Sequence, residues 1–218
     1  MLKREEITRE RVDRLVAVAQ KSGPFQVLTH DERDRNRKSF LDRFPKNEDL
    51  WVFGYGSLIW NPAFFFEEKQ KARIYGFHRK FCLHLTIGRG SPEKPGLMLA
   101  LDKGGSCNGI AFKIAADKVE SETEILWMRE MISGAYQPHC LTMFTEKGPV
   151  RGFTFVVNRK HDRYLGGLNI EDTAKAISEG EGQLGSCRDY LMNTVSGLLD
   201  LGIQDSYLKR LQKVLGDP

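Results

Sequence analysis

Apolar residues fall into two regimes along this chain. Up to about residue 48 they are sparse and helically spaced: Ile7, Val12, Leu15, Val16 and Ala19 recur among charges over 3–20, and Ser22-Gly23-Pro24 stops the pattern. A second charge-dense stretch, 31–44, has Phe40, Leu41 and Phe44 as its anchors. From Leu50 the period shortens. Leu50-Trp51-Val52-Phe53 predicts a buried strand broken by Gly54-Tyr55-Gly56-Ser57, and strand-like runs follow at 72–87, 97–101, 108–114, 140–145 and 150–157. One helix is expected among them, about 117–131. Asp117 or Ser121 would cap it, each having a glutamate three residues on. After Val157 the pattern is helical, at 170–179, 187–201 and 204–215. Strands with helices inserted and appended predict an α+β fold, a curled sheet or small mixed β-barrel with inserted and C-terminal helices. The expected division is a helical N-terminal extension, 1–48, packed peripherally on one domain spanning 49–218 or partly loose.

Composition narrows the function classes. With 218 residues, 40% hydrophobic and 28% charged, the chain suits one compact domain and not a disordered one. A net charge of +4, interspersed with acids, does not specify a nucleic-acid surface. No apolar run approaches the roughly 20 residues that span a bilayer. The start, Met1-Leu2-Lys3-Arg4-Glu5-Glu6, is too charged for a signal peptide, so a cytoplasmic chain without membrane partners is expected. Cys82, Cys107, Cys140 and Cys187 are widely spread and form no C-x-x-C, which favours buried free thiols over a disulfide framework or zinc. The histidines at 30, 78, 84, 139 and 161 show no metal-ligand pairing. No metal site is expected.

Two places can carry chemistry. In Phe53-Gly54-Tyr55-Gly56-Ser57-Leu58-Ile59-Trp60, glycines flank a tyrosine at a strand end, where backbone N–H groups can be left to cradle an anionic or carbonyl oxygen. The stretch lacks both the Gly-Lys-Ser/Thr of a phosphate loop and the G-x-G-x-x-G spacing of a dinucleotide site. Ser57 lacks the following glycine of a nucleophile elbow. A tight turn without a ligand is the plainer alternative. The second place is Glu130, which helical spacing sets beside Leu126 and Trp127. Apolar neighbours strip water from a carboxylate and raise its pKa toward a range useful for moving protons, although most helical glutamates are solvated. Tyr136, six residues on, can reach the same cleft, and Arg89 adds a cation from a strand-connecting loop.

These residues together resemble the ChaC-like gamma-glutamylcyclotransferases, in particular the bacterial branch. The resemblance rests on Phe53 to Trp60, Arg89-Gly90-Ser91 with Lys94-Pro95-Gly96, Arg129-Glu130 followed by Gly134 and Tyr136, Tyr164-Leu165-Gly166, and Gly182, Gly185, Tyr190 and Leu191. It runs from about Leu50 to about Leu215 and leaves 1–48 uncovered. It implies a small barrel-centred fold and cleavage of glutathione to 5-oxoproline and Cys-Gly without a cofactor. Under it Glu130 is general base and then acid, and Tyr55, Gly56, Ser57, Leu58, Ile59 and Trp60 hold the γ-glutamyl part, with Arg89, Tyr136 and Tyr190 nearby. Three positions depart from the family pattern: Ala135 for a glycine, Leu97 for an arginine, and Gly167 for a proline. Two alternatives stay open. One is a non-catalytic sensor of γ-glutamyl compounds linked to cation transport; the other is a cyclotransferase for other γ-glutamyl amines.

Overall fold

In the computed structural model, which describes residues 3–21 and 26–216, one long hairpin organises the chain. Strands β2 (Glu68–Leu85) and β3 (Gly96–Ile114) pair antiparallel from Glu68 opposite Lys113 to Leu85 opposite Gly96. Register shifts at Tyr75/Phe77 and Phe81/Leu83 bend this ribbon. At the first of them Gly76, Gly104 and Gly105 adopt φ of 86°, 104° and 70°, a left-handed backbone open to residues without a Cβ. The glycine pair that separates the expected strands 97–101 and 108–114 is therefore a bulge within one strand.

Three further strands complete a cylinder. β1 (Leu50–Gly54) adds antiparallel to β3, β4 (Tyr136–Thr145) to β2, and β5 (Gly148–Val157) to β4. Parallel pairing of β1 with β5, Trp51 opposite Gly152 and Val52 opposite Phe153, closes a barrel in the order β1-β3-β2-β4-β5. A Cβ at Gly152 would stand 2.1 Å from the Trp51 carbonyl oxygen, so the seam admits only glycine there. The Thr154 hydroxyl adds a bond across it, donating to the Phe53 carbonyl at 2.9 Å. The small mixed barrel with inserted and C-terminal helices is thus the architecture found.

Helices cover the barrel on two sides. α2 (His30–Leu41) and α4 (Val119–Glu130) share a core with the barrel in which Trp127 packs on Phe153 and Phe155, ring centroids 5.4 and 5.1 Å away, and on Phe40 at 5.7 Å. α5 (Ile170–Glu179), α6 (Cys187–Leu199) and α7 (Ser206–Val214) bury Ile177, Leu191, Leu198 and Leu211 against Phe53, Phe81 and Leu99. α1 (Arg9–Lys21) follows a short 3-10 turn at Arg4–Glu6 and lies against α4. One further turn of helix, α3 (Ser57–Trp60), stands where the sequence predicts only a break. The expected caps of α4 are not used. Lys118 occupies the N-cap without a side-chain bond, while the Ser121 hydroxyl donates back to the Lys118 carbonyl at 3.2 Å. Cys82, Cys107 and Cys187 are buried free thiols; Cys140 is free and half-buried. No helix among the described residues is long and apolar enough to cross a membrane.

One buried ion pair ties the barrel to its helical cap. Arg79, 3% exposed, donates Nε to the Tyr55 carbonyl at 2.6 Å, Nη1 to Asp205 Oδ2 at 2.9 Å, and Nη2 to the Asn108 carbonyl. Asp205 also caps α7, accepting from the N–H groups of Tyr207 and Leu208. Removing one partner of a buried pair strands the other's charge. Asp205→Ala is therefore expected to lower the unfolding free energy by about 3–5 kcal/mol, measured by urea denaturation; a change below about 1 kcal/mol, within reach of the lost cap alone, would show that the pair does not hold the cap.

Candidate active site

The backbone leaves β1 at Gly54 and turns at Gly56 into α3, where the Ile59 N–H donates to the Gly56 carbonyl at 2.9 Å and that of Asn61 to Ser57 at 2.7 Å. Helix α6 holds this turn from one side. The Ser57 N–H donates to the Tyr190 hydroxyl at 3.2 Å, and Trp60 Nε1 donates to Thr194 Oγ1 at 3.1 Å. A Cβ on Gly56 would lie 2.6 Å from that tyrosine hydroxyl, which explains the second glycine of the motif. The N–H groups of Ser57 and Ile59, expected to face a ligand, already have partners.

The other side is held from α4. Arg129 Nη2 donates to Ser57 Oγ at 2.7 Å, and Nη1 to the carbonyls of Asn61 and Pro62 at 2.6 and 3.1 Å. Its Nε forms an ion pair with Glu130 Oε1 at 3.1 Å. Glu130 ends α4, and its side chain keeps 15% exposure. Burial pushes its carboxyl above the usual carboxylate range, and the Arg129 charge opposes this without cancelling it. Three tyrosines share the setting. Burial raises Tyr55 and Tyr136 well above the ordinary phenol value and pushes Tyr190 up to about 12, with the charge of Glu130 adding to each. All three rings enter as neutral phenols. Tyr136 donates its hydroxyl to the Leu99 carbonyl at 2.7 Å.

These groups open onto a cavity of about 530 Å³, within the range of small-molecule sites. Every residue expected at the site lines it except Ile59, which turns away to pack on α6, where a Cβ on Gly197 would lie 3.2 Å from its Cγ2. Arg89 reaches the lining through contacts with the Tyr190 and Trp60 rings, 5.5 and 5.8 Å to their centroids, and donates to the Ser186 carbonyl at 2.9 Å. Of the three departures only Ala135 borders the cavity. Leu97 is buried in the core, and a side chain at Gly167 would meet open space.

Three lining arginines escape sequence reasoning as site residues: Arg11, Arg129 and Arg163. Adjacency to Glu130 was the available signal for Arg129, which sequence alone reads equally as a surface ion partner. Arg163, bonded to the His84 carbonyl and Ser133 Oγ, carries none. Arg11 belongs to the extension, which does not pack merely at the periphery: Glu6, Ile7, Thr8, Arg11, Val12 and Leu15 form one wall of the cavity. Four arginines against two glutamates, Glu6 and Glu130, give the lining a positive balance suited to an anionic ligand.

A barrel opening onto a desolvated carboxylate and a glycine-flanked helical turn has recognisable relatives. Residues 50–217 match the family described as ChaC-like protein, and the chain belongs to that family. It is 39% identical over 168 residues to the glutathione-specific gamma-glutamylcyclotransferase of Escherichia coli K12, covering 77% of this chain and 73% of the relative. It is 35% identical to gamma-glutamylcyclotransferase 2-3 of Arabidopsis thaliana, covering 74% and 86%. The crystal structure of the selenomethionine-labelled glutathione-specific enzyme from yeast superposes with a TM-score of 0.71 at 22% identity, over 78% of this chain and 96% of that one, a likeness of fold.

The raised carboxyl has a thermodynamic signature. A folded-state pKa above the unfolded value near 4.5 means that the native state binds the proton more tightly. The stability this contributes is full below the unfolded value and is lost as pH rises through the folded one. Glu130→Gln abolishes the titration, so the variant should gain stability relative to the parent as pH rises from 4.5 to neutrality. Urea denaturation across that range measures it. A pH-independent difference would mean that the carboxyl is not held in a desolvated state.

Proposed function

We propose that this chain is a glutathione-specific gamma-glutamylcyclotransferase, releasing 5-oxoproline and Cys-Gly, with Glu130 as its proton shuttle. The observation that carries the reading is a desolvated carboxylate at the end of α4, lining the same cavity as the α3 turn, in a chain of this family. The α-amine of the γ-glutamyl group gives a proton to Glu130 and attacks its own γ-carbonyl carbon. The new N–C bond closes a five-membered lactam. The amide bond to cysteine then breaks, and the nitrogen of Cys-Gly takes the proton back from Glu130. Atoms balance without water, and one carboxyl serves both transfers.

The surrounding groups have matching tasks. The segment from Tyr55 to Trp60 holds the γ-glutamyl arm folded for ring closure, and orientation supplies much of the acceleration in an intramolecular attack. Its N–H groups not taken by Tyr190 or by the turn face the developing oxyanion, where a single donor is typically worth about 3 kcal/mol. Arg129 keeps Glu130 and α3 in register. Tyr190, Tyr136 and Arg89 enclose the arm. Residues 49–218 form the catalytic domain and 1–48 a helical extension of it. Free thiols at all four cysteines fit a reducing, cytoplasmic setting.

Glu130→Gln keeps the shape of the side chain but cannot accept and return a proton. Its kcat for 5-oxoproline release from glutathione should fall by about 10²- to 10⁴-fold, with KM little changed. Glu124→Gln, on the exposed face of the same helix where Glu124 pairs with Arg9, should stay near the parent. Retention of more than about a tenth of kcat by a folded Glu130→Gln protein would exclude Glu130 as the shuttle.

A further inference from the structure

The cavity has one wall that the matched family region, residues 50–217, does not supply. It is made by the 3-10 turn and α1, fastened to the helix that ends in Glu130. Arg4 donates to Glu122 Oε1 at 2.7 Å and Oε2 at 3.3 Å, and Glu122 is 1% exposed. The Phe65 N–H and the Ser121 hydroxyl complete its partners, and these bonds outweigh burial and hold the Glu122 carboxyl below its ordinary range. Arg9 pairs with Glu124, two residues further along α4, at 3.1 Å. Ile7 and Val12 are buried. So anchored, the segment turns Thr8 and Arg11 toward the cavity.

The cations of the lining differ in what already holds them. Arg129 is occupied by three oxygens of α3 and its exit and by Glu130. Arg89 and Arg163 are bonded to main-chain carbonyls. Arg11 instead pairs with Glu6 Oε1 at 3.0 Å, a carboxylate on the neighbouring turn that keeps 39% exposure against 28% for Arg11. A substrate carboxylate can take the place of that partner: Arg11 keeps an oxygen acceptor of the same kind, and Glu6 stays held through Oε2 by the Lys3 N–H at 2.6 Å.

We propose that Arg11 binds the carboxylate that ends the leaving group, the glycyl carboxylate of glutathione, and thereby sets the enzyme's preference for a carboxylate-terminated acceptor side. The inference rests on the cyclotransferase reading above. With the γ-amide at Glu130 and the γ-glutamyl arm on α3, two residues of the substrate remain to reach Arg11, which lines the same cavity. Two extended residues span at most about 7 Å, a reach that a cavity of about 530 Å³ accommodates. The residue that discriminates substrates then lies on the extension, while the residues that process the γ-glutamyl arm lie on the barrel and α4.

The test uses the full chain and two substrates, glutathione and its C-terminal glycinamide, which differ only in the charge at the glycyl end. The parent should favour glutathione by about tenfold in kcat/KM, the usual worth of a charge-assisted hydrogen bond. Arg11→Ala should lose about tenfold on glutathione, mostly in KM, and little on the amide, so that the preference disappears. Arg11→Met, which retains the packing of the side-chain stem, should behave alike, Arg11→Lys should recover part of the preference, and Arg14→Ala, at an exposed position of α1 that does not line the cavity, should keep it whole. Equal losses on both substrates would assign Arg11 a structural role only, and an unchanged preference would place the acceptor carboxylate elsewhere; either overturns the proposal. A parent that releases 5-oxoproline from neither substrate would remove the underlying reading, an outcome distinct from both.

Discussion

Arg129 directs its guanidinium at the side chain of Ser57, the carbonyls of Asn61 and Pro62, and the carboxylate of Glu130. Most of the site's geometry follows from that arrangement. A four-residue helix such as α3 has almost no intrinsic stability, since nucleation fixes several dihedrals for very few bonds. It persists because α6 grips it through Tyr190 and Thr194 while Arg129 grips it from α4. The same side chain sets the distance between the turn and the carboxylate, so that the group holding a ligand and the group acting on it are placed by one cation.

That arrangement contains an opposition. A cation 3.1 Å from a carboxylate favours ionisation, yet the Glu130 carboxyl is raised. Burial among Tyr55, Tyr136 and the apolar lining outweighs the single charge, whose guanidinium is shared with three other oxygens. The balance suits a group that must hold a proton briefly and then release it. Glu122, two turns earlier, shows the opposite outcome on the same helix. Its side chain is 1% exposed and burial opposes its charge, yet Arg4, a main-chain N–H and a hydroxyl hold it ionised. Glu122 has several donors aimed at its oxygens to offset burial, where Glu130 has Arg129.

Local periodicity made much of this legible. The strands, the helix of Glu130 and the C-terminal helices follow from apolar spacing, with bounds within a few residues for α5 and α6. Glu130 announced itself through Leu126 and Trp127, and the Gly-Tyr-Gly turn through composition. Where reading failed, the deciding partner was distant. Nothing local marks Glu122 as a buried ion partner, because Arg4 lies 118 residues away. Arg79 gave no sign of its role, with Asp205 126 residues on. Lys103-Gly104-Gly105 looked like a turn because the opposing bulge at Gly76 is set by pairing, which has no local signature. The part of the extension in the cavity wall has no local signature for the same reason: its neighbours on α4 are more than a hundred residues downstream.

The β1–β5 seam has a consequence for the birth of the molecule. Phe53 and Thr154 meet across 101 residues of chain. At typical elongation rates of about 5–20 residues per second, β1 waits roughly 5–20 s for its last neighbour to be synthesised. Throughout that interval one side of β1 is an unpaired strand edge, open to any other chain that offers a complementary one. The seam bears a mutual fit of only two residue pairs, and at Gly152 it has no room for a side chain. Crowding that position would therefore strain the closed barrel and also prolong the vulnerable interval in the nascent chain, so that part of its damage would emerge as aggregation during production.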